Sequence, residues 1–278
     1  NTFGPSCERE HWLYLMKFNQ PRNDRWCWHT DFGNFKIYIR DEKEANWFRM
    51  KHGYNGMEPI PLQSLLLALN VLTLYNPLSN NFSGMAIKAG EQRFILVNSN
   101  HPIGKQNFTI CHELYHLYIQ KDFQSMQCST GLFDKKSNKI EYYADLFAAN
   151  LLMPTQGILM HIPDHENAKN KISIHTLLKI EQTYACSRSA LLFRLVNMNL
   201  LSLEIAENFR KNVIQKASQL GYPLELYQPG NNGKMIGLYG SMARQLFEEQ
   251  IISEGHYYEL MNDAGLSIEE ESDEIWQH

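Results

Sequence analysis

The sequence predicts an α+β fold, with a small β-sheet in its first half and a mostly helical region after it. Two observations in the first half point there. Short apolar runs between residues 71 and 98 are too brief for helices and are bounded by turn residues. Two longer stretches, 107–121 and 139–153, carry apolar residues at helical spacing. Beyond Pro154 the apolar runs read as further helices.

Composition sets the outer limits. The 278 residues are 44% hydrophobic and 20% charged, enough for one large domain or two modest ones with a filled core. Disordered, collagenous and coiled-coil classes are excluded. With 26 Lys and Arg against 30 Asp and Glu, the net charge of -4 argues against nucleic acid held by bulk charge. The longest apolar stretch, Leu62 to Tyr75, is interrupted by Asn70 and is too short to span a bilayer, so no membrane segment is expected. Five cysteines (Cys7, Cys27, Cys111, Cys128 and Cys186) make an odd set without a CxxC pair, which reads as reduced thiols in a cytoplasmic setting. The chain begins at Asn1 rather than Met, so a leader or upstream segment could precede it.

In chain order, residues 1–58 form an aromatic-rich region of unknown role. The alternation in Phe35-Lys-Ile-Tyr-Ile-Arg, with Trp26 and Trp28, predicts a strand pair turning near Asp31-Phe-Gly-Asn. Pro59 and Pro61 mark a boundary, followed by a short helix at Leu62–Leu69 and a strand at Val71–Tyr75. Strands at Ala86–Lys88 and Arg93–Asn98 flank a turn at Gly90-Glu91. The helix over Asn107–Lys121 has Ile110, Leu114 and Leu117 on one face. A polar loop, Asp122–Ser137, leads to a helix from Lys139 to Met153, which Pro154 ends. These elements make up a core domain at 59–155. A helical region at 156–268 follows, with helices near Ser173–Ala185, Ser187–Asn197 and Leu203–Leu220, a loop at Tyr222–Gly240, and helices at Ser241–Ser253 and His256–Ala264. Residues 269–278 are an acidic tail.

His112-Glu-Leu-Tyr-His116 carries the chemistry. Positions i and i+4 of a helix lie one turn apart on one face, so both imidazoles can reach one metal ion. Glu113 projects beside them, where it can touch a water held by the metal. A catalytic metal needs a third protein ligand, and three sources compete. Asp122 occupies the last position of HExxHxxGxxH/D, but Ile119 stands where that pattern needs the turning Gly. His161, His165 and His175 lie downstream with no spacing rule to select one. Glu141 lies on the next helix, with Asp145 one turn on and Ala144 leaving room for close helix approach. Glu141 could instead close a capping box with Asn138. Ligation is favoured because capping alone gives Asp145 no buried task. With ligation, Asp145 accepts the second ring N–H of a ligating histidine.

Residues 59–154, about a third of the chain, resemble the ImmA/IrrE family of zinc-dependent metallopeptidases. The resemblance rests on Pro59-Ile-Pro61, Ser83-Gly-Met-Ala86 and Ile95-Leu-Val-Asn98. It continues through Phe108-Thr-Ile-Cys-His-Glu-Leu-Tyr-His-Leu117 and Glu141-Tyr-Tyr-Ala-Asp-Leu-Phe-Ala-Ala-Asn-Leu-Leu-Met-Pro154. It implies a zincin-like pair of active-site helices and one zinc per chain on His112, His116 and Glu141, with Glu113 as general base. It also implies a metalloendopeptidase that cuts a protein regulator, typically a transcriptional repressor of a prophage or mobile element. Tyr115 departs from the family, which usually has Gly or Ala there. The oxyanion-stabilising donor is open among Tyr142, Tyr143 and His161.

Arg93–Asn98 is expected to be an edge strand that receives substrate through Ile95, Leu96 and Val97. Cys111, next to the first histidine, reads as a packing residue rather than a redox gate. A helix-turn-helix-like pair spans residues 173–200, where DNA binding would use Arg188 and Arg194. The acidic chain and few cations favour packing or protein recognition instead. Two other functions therefore stand beside the peptidase: a zinc-containing module that binds protein without cutting, and a DNA-binding regulator using 173–200.

Overall fold

The structure, a computed structural model, describes residues 32–121, 123, 126–128 and 139–265. Alternation governs its sheet. In β1 (Val71–Asn76) the residues Val71, Thr73 and Tyr75 turn inward and are buried, while Leu72 and Leu74 are half-buried on the other face. β2 (Gly84–Ala89) and β3 (Gln92–Asn98) form a hairpin closed by Gly90, whose φ of 58° suits glycine. β4 (Met126–Cys128) adds to β2, and β5 (Met235–Ile236) adds to β1. The order is β4-β2-β3-β1-β5, with only the β1–β3 pairing parallel.

That order corrects the expectation for Arg93–Asn98. β3 is the central strand, paired on both sides, so its backbone has no edge to offer a substrate. Ile95 and Val97 are fully buried, and Leu96 is half-buried. The continuous apolar run Phe94-Ile-Leu-Val97 is what a strand covered on both faces requires.

A second correction falls on the N-terminal region. Phe32–Lys51 is one helix, α1, where the alternation at 35–40 predicts a strand. Six alternating residues are too few to decide the period. The segment after them supplies Ala45, Phe48 and Arg49 at the three-and-four spacing of a buried helix face. Trp26 and Trp28 lie outside the described residues, as does the acidic tract at 269–274.

The other helices follow the expected order. α2 (Leu62–Ala68) precedes β1, and α3 (Ile103–Tyr118) lies on the sheet against β2 and β3. α4 (Lys139–Leu152) packs along α3. Ala144, Ala148 and Ala149 are fully buried in α4, and such small side chains allow a close approach of two helices. After α5 (Thr155–His161), Ser173 and Ser187 cap α6 (Ile174–Tyr184) and α7 (Arg188–Asn197) through their side-chain oxygens. The helix expected over 203–220 is two, α8 (Leu203–Phe209) and α9 (Val213–Gln219), because Asn212 adopts a left-handed φ of 56°. α10 (Tyr239–Glu248) and α11 (Glu254–Asp263) complete the described chain. One hydrophobic cluster runs from Leu65 and Phe108 through Leu152 to Leu177, Leu191 and Leu201, so packing is continuous across the boundary expected at 155/156.

Two buried arginines hold the C-terminal end of α4. Arg49 Nη1 donates to Leu151 O at 2.5 Å, and its other nitrogens donate to Asn55 O and Glu58 O. Arg194 donates to Met153 O at 3.2 Å and to Thr155 Oγ1 at 2.9 Å. Each guanidinium satisfies carbonyls left over at the helix end and complements its negative pole. Arg188 is buried too, paired with Glu181 of α6, whose Oε2 also accepts from Tyr227 Oη at 2.7 Å. Both arginines assigned to a DNA groove are thus committed inside the protein.

Two outcomes follow for stability. Glu181→Ala leaves Arg188 buried beside no carboxylate and should cost about 3–5 kcal/mol, read as a lowered urea midpoint. At Gly84 an added Cβ would sit 2.5 Å from Thr109 Cγ2, 2.9 Å from Leu96 O and 3.2 Å from Glu113 Oε1. Gly84→Ala should therefore cost about 1–3 kcal/mol through the forced separation of β2 from α3; an unchanged midpoint would refute that contact.

Candidate metal centre

α3 presents His112 and His116 on the flank that meets α4, because Ile110, Leu114 and Leu117 claim other parts of its buried surface. The helix is set by Gln106, whose amide nitrogen donates to Ser99 O, His101 O and Gly230 O and clamps the turn from β3. His112, Glu113 and His116 are buried, Asp145 is nearly so, and the Glu141 side chain keeps 21% exposure. The centre therefore meets solvent on the Glu141 side.

Both rings are oriented by a second partner. His112 Nδ1 donates to Asp145 Oδ1 at 2.9 Å, and His116 Nδ1 donates to Gln120 Oε1 at 2.5 Å. With each Nδ1 carrying the proton, each Nε2 keeps its lone pair and faces inward. His112 Nε2 lies 3.0 Å from His116 Nε2 and 3.1 Å from Glu141 Oε2, and His116 Nε2 lies 3.4 Å from Glu141 Oε1.

Two bare nitrogens and a carboxylate at such spacing repel unless a cation or a shared proton lies among them. Burial, and then the neighbouring His112, pushes His116 down to about 4, so at neutral pH it brings no extra proton. A tetrahedral ion bound at about 2.0–2.2 Å needs donors roughly 3.3–3.5 Å apart, only slightly wider than the separations found. The donor set thus fits a metal ion, and it is the group of His, Cys, Asp or Glu donors among the described residues that does so.

The other candidates fall elsewhere. His161 packs edge-on against Tyr184, His165 lies exposed beside Glu166, and His175 is exposed on α6. Asp122 and Asn138 lie outside the described residues. Glu113 lies against Gly84 of β2, within α3 itself and one residue on from His112. Ile95, Leu96 and Val97 belong to the sheet and not to this cluster. Tyr142 and Tyr143 are half-buried neighbours in α4, and their contacts do not single out either as an oxyanion donor. The Cys111 thiol is fully buried and burial pushes it up to about 12, which keeps it protonated and suits packing.

Sequence reasoning missed Gln120 and Phe123. Gln120 stands four residues after His116, just past the end of α3, and its side chain reaches back to the His116 ring. Phe123 stacks on the His116 ring at 5.8 Å and has no local signal. Tyr115, the departure from the family pattern, packs against His116 and Phe147 behind the centre.

No helix among the described residues is long and apolar enough to cross a membrane. No curated protein matches the chain. A family model does: residues 66–196 match the IrrE N-terminal-like domain of peptidase family M78, reaching past α4 to the end of α7. The matched segment contains β1 to β3, both metal-facing helices and the whole donor group. Residues 66–196, just under half of the chain, thus match an IrrE N-terminal-like domain of peptidase family M78.

Proposed function

We propose that the protein is a zinc-dependent endopeptidase acting on a protein regulator. The convergence of His112 Nε2, His116 Nε2 and a Glu141 carboxylate oxygen within 4.8 Å of one another carries this reading. Two imidazoles and one carboxylate form a set suited to zinc with a coordination position left for water, and the partial exposure of Glu141 supplies access. The substrate class, a transcriptional repressor of a prophage or mobile element, rests on the family resemblance.

In this reading a bound zinc ion supplies Lewis acidity that lowers the pKa of water toward about 7. His112 and His116 keep their lone pairs directed inward because Asp145 and Gln120 hold the opposite ring nitrogens. Glu113 accepts the proton of the attacking water as it adds to the peptide carbonyl, then delivers that proton to the departing amine. The Gly84 position, open because no Cβ stands there, leaves room for the Glu113 carboxylate beside the sheet.

Elemental analysis should find close to one zinc per chain in the wild type and a marked loss in Glu141→Ala. No zinc after reconstitution of the wild type would overturn the reading. Zinc kept in full by Glu141→Ala would take Glu141 out of the ligand set. Glu113→Gln should retain zinc while cleavage of the regulator falls about 10²–10⁴-fold. Undiminished cleavage would remove Glu113 from the mechanism, and regulator binding with no cleavage by either form would identify a binding module.

A further inference from the structure

The chain turns back on itself where α3 ends. Ile119 N–H and Gln120 N–H both donate to Tyr115 O, at 2.8 and 2.9 Å, which closes the helix and redirects the segment that follows. Phe123, a few residues on, returns to the metal centre. Its ring stacks on His116 with centroids 5.8 Å apart and planes inclined by 28°.

The rest of that imidazole is already engaged. Nδ1 donates to Gln120, Nε2 faces His112 and Glu141, and Tyr115 lies edge-on to the ring. Phe123 takes a ring face. It is half-buried, joining the margin of the main hydrophobic cluster while part of its surface meets solvent.

A phenyl ring flanking a donor atom of the centre is within reach of a bound peptide. The two Cα atoms on either side of a peptide bond are about 3.8 Å apart, and their side chains extend several ångströms further. With the scissile carbonyl at the centre, a side chain next to it can lie over Phe123. Ile140, beside Glu141 in the first turn of α4, is 41% exposed and adds apolar surface on the side where the centre meets solvent. Such a ring offers no strong hydrogen bond; it favours apolar groups, and aromatic ones gain beyond the area they bury.

We propose that Phe123 is a specificity-determining residue, forming one wall of a subsite for an apolar or aromatic side chain next to the scissile bond. The inference rests on the peptidase reading and adds to it the class of residue at which the substrate is cut. A Phe123 that served only to cover His116 would leave the centre indifferent to the body of a molecule bound there.

The test uses the zinc-loaded full chain and two hydroxamates that share one metal-binding group: acetohydroxamate, with a methyl body, and phenylacetohydroxamate, with an aromatic one. Isothermal titration gives both affinities for the wild type, Phe123→Ala and Phe123→Leu, with zinc content measured beside them. The ratio of the two affinities cancels whatever a substitution does to the zinc or to the shared hydroxamate. In the wild type the aromatic compound should bind about tenfold tighter or more, and in Phe123→Ala that preference should fall to about threefold or less with zinc retained. Should Phe123→Ala fail to fold or to hold zinc, Phe123→Leu carries the test, because it keeps apolar bulk and loses the stacked ring; its preference should fall by about threefold. Equal affinities in the wild type, or a preference that neither substitution lowers, would overturn the subsite and leave the metal centre standing. Binding of neither hydroxamate to zinc-loaded protein would overturn the peptidase reading and the subsite with it.

Discussion

The close approach of α3 and α4 is the constraint on which this molecule depends. Each helix alone carries half of a site: two imidazoles on one, two carboxylates on the other. Only when Ala144 and Ala148 let the helices meet can Asp145 reach His112 Nδ1 and Glu141 reach both Nε2 atoms. Bringing these polar groups out of water is costly. Their mutual hydrogen bonds offset part of that cost. The two guanidiniums at the far end of α4 serve the same arrangement. Arg49 and Arg194 bind its terminal carbonyls from α1 and α7, so a shift of α4 along its axis would break buried charge-assisted hydrogen bonds at Leu151 and Met153.

The sheet's part is to hold α3 at a fixed height. Gly84 on β2 and the central position of β3 bring the backbone close beneath the helix, where Thr109 and Glu113 rest on it. Tyr115 shows how a bulky side chain is taken up without disturbing the centre. It projects toward Phe147 on α4 and lies edge-on to the His116 ring, away from the inward-facing Nε2 atoms. The helices after Pro154 belong to the same body. Their leucines join the cluster that backs α3 and α4, and the family match likewise continues to residue 196. Arg188 and Arg194, which as bare sequence could be read as groove-binding cations, act instead as internal ties of that body.

Much of this was legible from local pattern. His112, Glu113 and His116 follow from helical spacing alone, as does the partnership of Glu141 and Asp145 one turn apart. The boundaries of α2, α4, α6 and α7 and the hairpin at Gly90 were equally readable, since prolines, serine caps and a left-handed glycine act within a few residues. Errors arose where the local signal was short or shared between two outcomes. Six alternating residues at 35–40 were absorbed into a helix, and Asn212 broke a helix that composition alone would continue.

By itself the sequence determined the α+β class, the His112/Glu113/His116 cluster and the family match of residues 66–196, and it favoured Glu141 as a third donor, because these depend on residue type and on spacing along one helix or the next. The tertiary structure decided what depends on contacts between distant segments. It placed β3 in the middle of the sheet rather than at its edge, because β1 and β2 come to pair on its two sides. It turned Gln120 and Phe123 toward His116, buried the arginines at 49, 188 and 194 against carbonyls and a carboxylate, and joined Tyr75 to Lys234 by a backbone hydrogen bond. Side-chain chemistry is written residue by residue, whereas strand order and the pairing of Tyr75 with a residue 159 positions away follow from how the chain closes on itself.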